Sequence, residues 1–133
     1  MILLDTNICI YIINAKPPAV LARFQKYRLG DIGLCSVVAA ELAFGVAKSG
    51  SARNRRALEM FLAPLAILPF DEAAVWAYGD LRADLERRGT PICALDTMIA
   101  AHALSQQALL VTNNTREFAK VPGLKLDNWA EAA

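Results

Sequence analysis

The chain has no long apolar run and no secretion signal. None of its uninterrupted apolar stretches reaches the roughly 18 residues that a membrane helix needs. Its N-terminus also lacks the basic region and the cleavage site of a signal peptide. These absences argue against a membrane protein and against a secreted one, so we expect a cytoplasmic protein that makes no membrane contact.

Cysteine is scarce as well. The three cysteines, Cys9, Cys35 and Cys93, lie far apart and lack the C-x-x-C spacing of metal-binding motifs. An odd number of widely spaced cysteines argues against a disulfide framework and against a zinc knuckle. This pattern fits a reducing compartment, and we expect Cys93 to be a small, buried hydrophobic residue.

Excess charge of either sign is also absent, because the formal net charge is +1. Any contact with a nucleic acid must therefore come from a local patch. Lys48, Arg53, Arg55 and Arg56 offer such a patch, since no acidic residue lies between them. This basic cluster is either a solvated surface or a set of phosphate contacts.

The short motifs of the common phosphate-binding and hydrolytic folds are missing. There is no P-loop, no G-x-G-x-x-G, no G-x-S-x-G and no H-E-x-x-H. The one histidine, His102, lies about 240° around a helix from Asp96 and so points elsewhere. A catalytic triad therefore has little support.

What the sequence does contain is 56% hydrophobic residues, arranged as short apolar strands that alternate with helices. This alternation favours a parallel sheet covered by helices. We predict one domain over residues 1–133, with an α/β fold and a doubly wound, mostly parallel sheet of four to five short strands flanked by helices. The strands are predicted at 2–4, 32–35, 66–68, 109–111 and, at one edge, 122–128. Ser36 and Asp71 are predicted to be the N-caps of two helices, and Asp96 is predicted to begin a third. Trp76 is predicted to lie in the core.

The first predicted strand ends in a carboxylate. Ile2 to Leu4 are apolar, as in a strand buried on both faces, and Asp5 follows directly. Ligands of open α/β sheets bind beyond the carboxyl ends of the strands. Asp5 is therefore a candidate for chemistry, or else the N-cap of the next helix.

A second carboxylate lies on an apolar helix face. The neighbours of Glu41 at helical spacing are Val37, Val38, Phe44 and Gly45. Burying a bare carboxylate is costly, so Glu41 must be paired with an arginine, protonated or bound to a cation.

Further polar groups follow later segments of the chain. Asp96 begins a predicted helix, and the segment from Thr112 to Glu117 follows the fourth strand. If these groups converge with Asp5 and Glu41, each pair of carboxylates about 4 Å apart repels by roughly 4 kcal/mol at an effective dielectric near 20. Such a cluster needs cations, and all-oxygen ligation favours Mg²⁺ or Mn²⁺ over zinc. Phosphoryl chemistry is typical of such a site.

The order of these segments resembles the PIN-domain ribonucleases, specifically the VapC toxins of VapBC toxin–antitoxin pairs. The resemblance covers essentially the whole chain. It rests on Asp5-Thr6-Asn7 after a strand, then on the segments 36–42 (SVVAAEL), 95–100 (LDTMIA) and 110–118 (LVTNNTREF), the last followed by 121–124 (VPGL). Each motif alone is weak, but all four in this order and spacing are specific.

The resemblance implies an endoribonuclease that depends on Mg²⁺ or Mn²⁺ and cleaves translation-related RNA such as tRNA. It also implies a homodimer and a higher assembly with a VapB-type antitoxin whose tail enters the active-site groove. It assigns catalysis and metal binding to Asp5, Glu41, Asp96 and Glu117. It assigns supporting positions around these acids to Thr6, Asn7, Thr112 and Asn114. The basic cluster is the expected RNA contact.

The fourth acid is the least regular of these assignments. Many relatives carry Asp where this chain has Asn114, and Glu117 is the nearest substitute. Two other readings remain: an inert PIN module that binds RNA or protein, and a receiver-like switch. The switch needs an acidic pair near the first strand, where Asp5 stands alone.

Overall fold

A computed structural model describes residues 1–131 and contains one five-stranded sheet. The strands are β1 (Ile2–Leu4), β2 (Ile32–Cys35), β3 (Ala66–Leu68), β4 (Leu109–Val111) and β5 (Lys125–Asp127). The helices are α1 (Thr6–Asn14), α2 (Pro18–Phe24), α3 (Ser36–Ser49), α4 (Ala52–Leu62), α5 (Glu72–Arg87), α6 (Ala94–Ser105) and α7 (Thr115–Phe118), with a 3₁₀ turn at Leu29–Asp31. The strand order is β3-β2-β1-β4-β5, and every pairing is parallel. The predicted α/β fold is confirmed.

The register of the two central strands positions the site. β1 and β4 are paired from Ile2 with Leu109 to Leu4 with Val111, so the two strands end level. Asp5 and Thr112 therefore emerge side by side, and the Asp5 backbone N–H donates to the Val111 carbonyl at 2.9 Å. The strand order reverses between β1 and β4, which makes this edge the switch point where α/β sheets bind ligands.

The core lies on both faces of the central strands. Leu4, Leu34 and Leu110 are fully buried in the sheet, and the helix α6 buries Ile99 and Ala100 against it. Fully burying a leucine or isoleucine side chain is worth about 1.5–3 kcal/mol. Rigid strands with covered faces thus hold their polar ends in fixed positions.

The N-caps of two helices lie one and three residues before the positions that the sequence indicates. Cys35 is the N-cap of α3, and the Ser36 hydroxyl instead accepts the Phe70 backbone N–H at 3.0 Å. Cys93 is the N-cap of α6, with its Sγ accepting the Asp96 N–H at 3.5 Å. Asp96 is therefore in the first turn rather than at the cap, and its carboxylate is left for other contacts. The predicted cap at Asp71 is present, and its Oδ1 accepts the Ala74 N–H at 3.0 Å.

Three further expectations differ from the structure. Cys93 is exposed rather than buried: it caps α6 at the surface, whereas Cys35, which caps α3 at the end of β2, is buried. Trp76 is 67% exposed rather than in the core, since α5 packs through Leu81 and Leu85 on another face. The last strand is shorter than predicted and spans Lys125–Asp127. No helix within residues 1–131 has the length and apolar character to cross a membrane.

Candidate active site

Asp5 is held at the centre of the site by two hydrogen bonds. Its Oδ1 accepts the Thr6 backbone N–H at 2.8 Å, and its Oδ2 accepts the Thr112 hydroxyl at 2.7 Å. Asp5 is thus both the N-cap of α1 and a buried polar group. Burial raises the pKa of the Asp5 carboxyl above its ordinary 3.8, against the opposing effect of these two hydrogen bonds. Each oxygen keeps lone pairs for a further ligand.

Glu41 reaches the same place from α3. Its Oε1 accepts the Thr6 hydroxyl at 2.9 Å, so Thr6 links the first helix to the third. Within residues 1–131, Glu41 has no lysine or arginine within ion-pair distance. The arginine partner considered for Glu41 is therefore not found in the described part of the chain.

Asp96 completes the acidic group from the first turn of α6. The pKa of its carboxyl is raised, first by burial and then by the negative charge of Asp5. The charges of Glu41 and Glu117 raise it further, while the contact with Cys93 lowers it. Asp96 therefore lies in a field of negative charge produced by the other candidate acids.

These three acids open into one cavity of about 330 Å³. In the described part of the chain its lining residues are Asp5, Thr6, Asn7, Glu41, Asp96, Asn113 and Asn114, and none of these is a cation. Among residues 1–131, no three His, Cys, Asp and Glu side chains are grouped so that they could hold a metal ion by themselves. The donor set nonetheless fits Mg²⁺ or Mn²⁺, because Mg²⁺ usually takes one or two carboxylates and fills its remaining positions with water and phosphate oxygens.

Sequence reasoning missed Asn113 and Tyr11. The Asn113 amide donates to the Tyr11 hydroxyl at 2.8 Å, and its Oδ1 accepts from Asn7 at 3.5 Å. The position of Asn113 after β4, between Thr112 and Asn114, was a signal for it. Tyr11 lies one helical turn beyond Asn7 on α1 and could have been found by that spacing.

The remaining predicted residues divide into two groups. Thr112 and Asn114 lie at the site, where the Thr112 Oγ1 also accepts the Asn114 N–H at 2.9 Å. Glu117 lies on α7 and does not line the cavity; its Oε1 pairs with Lys120 at 3.1 Å. Its charge still reaches Asp96. Glu117 is therefore beside the acidic group rather than within it.

The basic cluster lies on α4 and at the end of α3. Lys48, Arg53, Arg55 and Arg56 are all exposed. The Arg55 Nε pairs with Glu59 on the same helix at 3.2 Å, and the negative charge of Glu59 partly offsets the positive charge of Arg55. Arg53 faces a second cavity that adjoins the acidic one.

His102 is fully buried away from the acids. Its Nδ1 lies 2.7 Å from the Cys35 Sγ, and its ring packs edge-on against Phe70. Burial lowers the pKa of this histidine. Its place in the core agrees with the helical spacing, which directs it away from Asp96.

Replacing Glu41 by Gln is expected to raise the melting temperature of the metal-free protein. Gln keeps the oxygen that accepts the Thr6 hydroxyl but removes one charge that raises the pKa of Asp96. Thermal melts in a chelating buffer measure the change. A melting temperature that falls sharply would mean that Glu41 stabilises the fold through an attraction of its own.

Comparison with known proteins gives a family. The model of the PIN domain matches residues 2–124. The chain is 41% identical over 129 residues to ribonuclease VapC2 of Rickettsia felis, with 96% of each chain covered. It is 43% identical over 129 residues to the tRNA(fMet)-specific endonuclease VapC of Shigella flexneri, with 96% of this chain and 97% of that one covered.

Solved structures point to the same family as the sequence comparisons. VapBC2 of Rickettsia felis, bound to a DNA fragment from its promoter, matches with a TM-score of 0.86 and 40% identity over 97% of this chain and 99% of that chain. DNA-bound VapBC of Salmonella typhimurium matches with a TM-score of 0.88 and 38% identity over 96% and 97%. The chain therefore belongs to the PIN-domain family, and within it to the VapC ribonucleases. The resemblance carried by the sequence motifs is confirmed.

Proposed function

We propose that this chain is the toxin of a toxin–antitoxin pair, an endoribonuclease that hydrolyses phosphodiester bonds in RNA. The proposal rests on one observation: Asp5, Glu41 and Asp96 line one cavity, and no cationic side chain within residues 1–131 lines it with them. We further propose tRNA as the substrate, on the strength of the relative in Shigella flexneri that carries this specificity in its name. The three free thiols fit action in the cytoplasm.

The cofactor proposed is Mg²⁺ or Mn²⁺, with Asp5 and Asp96 as its foremost ligands. Glu41 lies beside them, and water and phosphate oxygens would fill the remaining positions of the cation. When bound, such a cation supplies an activated water and neutralises charge at the leaving oxygen. The residues around the cation site act by holding the carboxylates in place. Thr6 and Thr112 hold Asp5 from two sides, and Thr6 also holds Glu41, so the carboxylates need little rearrangement before reaction. Asn7 and Asn114 offer neutral amides to the RNA or to water at the cavity wall.

The partners proposed are a VapB-type antitoxin and a second copy of this chain. Relatives with nearly full coverage were solved as VapBC complexes. We propose that residues 1–133 act as one PIN domain in such an assembly and that the dimer binds the antitoxin in a higher complex.

A cleavage assay on the purified chain tests the function. Total tRNA is incubated with the chain plus Mn²⁺, with the chain plus a chelator, and with Mn²⁺ alone; sequencing of the RNA 5′ ends then maps the cuts. We expect discrete cuts in the first sample only. RNA binding without cleavage under all three conditions would favour the inert PIN module instead.

Glu117 lies beside the acidic cavity, and we expect its side chain to turn from Lys120 toward a bound cation and supply a fourth carboxylate. Its pair with Lys120 is half-exposed, and such pairs contribute only about 0–1 kcal/mol, so a cation can replace the lysine. Glu117→Gln should lower Mn²⁺ affinity and cleavage rate by roughly 10- to 100-fold, the range found when a group supporting a metal site is removed. Asn114→Ala should lower them less.

Calorimetry with Mn²⁺ measures this effect, and Lys120→Gln is the matched control. Because it frees Glu117 from its ion pair, it should leave Mn²⁺ affinity unchanged or raise it. Wild-type affinity and rate in Glu117→Gln would instead leave a site of three acids, for which one tightly held metal is the better description.

The basic cluster is expected to contact RNA phosphates. Replacing Arg53 and Arg56 by Gln should weaken RNA binding and flatten its salt dependence by about 1.4 in the log–log slope, at roughly 0.7 for each contact on a single strand. Arg87 and Arg88 are two exposed arginines at the C-terminal end of α5, outside the basic cluster. Replacing both by Gln removes the same charge and is the matched control. Equal slopes for both double variants would assign the cluster to the solvated surface.

A further inference from the structure

A second cavity of about 600 Å³ adjoins the acidic one and shares Thr6 and Glu41 with it. Much of its wall is aliphatic and comes from α1, α3 and α4: Ile10, Ile13, Leu42, Val46 and Leu58. The volume falls within the range of about 300–1,000 Å³ that is usual for ligand pockets. We call this cavity the side groove.

Gly45 lies in the wall of the side groove, in the middle of α3. A glycine inside a helix destabilises it by roughly 0.5–1 kcal/mol relative to alanine. A Cβ built on Gly45 meets no atom of residues 1–131 within 4 Å, so packing against this part of the chain does not require glycine there. The absence of a side chain instead keeps the groove open beside Glu41.

Polar groups are also present in the side groove. Arg53, from the first turn of α4, lines it and has no ion-pair partner within residues 1–131. Asn14 and Asn54 line it with amides that can donate to and accept from a base edge. The groove thus combines an apolar wall, hydrogen-bonding amides and an unpaired positive charge, and it adjoins the acidic cavity at Thr6 and Glu41.

We propose that the side groove holds the unpaired nucleobase next to the scissile phosphate, with Arg53 on the neighbouring phosphate. From Glu41 to Val46 the α3 wall extends about 7.5 Å at roughly 1.5 Å per residue, which is room for a single base. A base must be splayed out of its stack to enter, so the groove selects single-stranded RNA. This inference rests on the proposed function and names the part of the RNA that confers selectivity.

Gly45→Leu tests the proposal by filling the groove. Leucine is a better helix former than glycine, so the melting temperature should not fall. With a single-stranded RNA oligonucleotide containing a mapped cleavage site, kcat/KM should fall at least about tenfold, mainly through KM. Mn²⁺ affinity should be unchanged. Gly79→Leu is the matched control. Gly79 is likewise inside a helix, and a Cβ there meets no described atom within 4 Å, but it lies on α5 and does not line the groove.

An oligonucleotide with an abasic position beside the cleavage site gives the second measurement. It should lower kcat/KM of the wild type by a factor similar to that of Gly45→Leu, and it should have no further effect on that variant. Independent, multiplying effects of the two changes would overturn the proposal. So would wild-type cleavage by Gly45→Leu combined with weaker antitoxin binding, which would make the groove a protein-docking surface.

The two proposals fail in different ways. If the wild type cleaves RNA and Gly45→Leu cleaves it equally well, the nuclease stands and the base site is wrong. If the wild type does not cleave RNA, the proposed function is wrong. Fluorescence anisotropy with a labelled single-stranded RNA then tests the groove directly, and equal affinities of the wild type and Gly45→Leu would overturn it.

Discussion

Replacing either Asp5 or Asp96 by Asn is expected to abolish RNA cleavage and growth arrest while the fold survives. Both carboxylates open into the acidic cavity, and neutral amide oxygens hold Mg²⁺ poorly. Loss of a supporting group near a metal lowers activity by roughly 10- to 100-fold, so loss of a ligand should reduce it by about 100-fold or more. Cleavage of tRNA with Mn²⁺ and growth after induction are the measurements.

Activity distinguishes this role from that of a helix cap. If Asp5 served only as the N-cap of α1, Asp5→Asn would keep both stability and activity, because asparagine caps a helix about as well as aspartate. Asp80→Asn is the matched control: it removes the same charge at an exposed position on α5 and should retain full cleavage. Full activity of a folded Asp5→Asn or Asp96→Asn variant would remove that residue from the site.

Without metal, Asp96→Asn is expected to be more stable than the wild type at pH 7. The pKa of the Asp96 carboxyl is raised in the folded protein above its ordinary 3.8, so folding disfavours the charged form. As pH rises from 3.8 through the folded pKa, the unfolded chain binds fewer protons than the folded one, and the wild type loses stability. The advantage of Asp96→Asn should therefore be small near pH 4 and complete above the folded pKa.

Metal should reverse this order at pH 7. A cation present at 100 times its dissociation constant stabilises the folded state by about 2.7 kcal/mol, and this gain should be largely lost in Asp96→Asn. Chemical unfolding at several pH values, with chelator or with Mn²⁺, measures both effects. The lowered pKa of His102 opposes the trend but is common to both proteins, so it cancels in their difference. A wild type that is more stable than Asp96→Asn in chelator at pH 7 would contradict the prediction.

The strands could be predicted because their patterns are local. Ile2–Leu4 and Leu109–Val111 are short apolar runs bounded by polar residues, and the structure has strands at these positions. Gly50 ends α3 in the left-handed conformation that its position after Ser49 indicates. Hydrogen bonding and side-chain sterics within one element are sufficient to determine such features.

Burial and exact cap positions were less predictable. Trp76 is exposed and Cys93 caps a helix, although tryptophan and free cysteine are residue types that are usually buried. Which helix face is covered depends on the elements that pack against it, and α5 packs against α6 through a face that excludes Trp76. Asn113 was missed for a similar reason, since its partner Tyr11 is 102 positions away in the chain.

The sequence by itself determined the types of group available to the site: carboxylates at 5, 41 and 96, hydroxyls at 6 and 112, and cysteines that lack the spacing of a zinc site. The tertiary structure alone decided which of them meet. Thr112 reaches Asp5 across 107 positions because β1 and β4 are parallel neighbours that end level, whereas Glu117, only five residues later, turns with α7 toward Lys120. The side groove likewise exists only because α1, α3 and α4 pack together. Contacts of this kind depend on the pairing of distant segments, which the periodicity of a single segment does not specify.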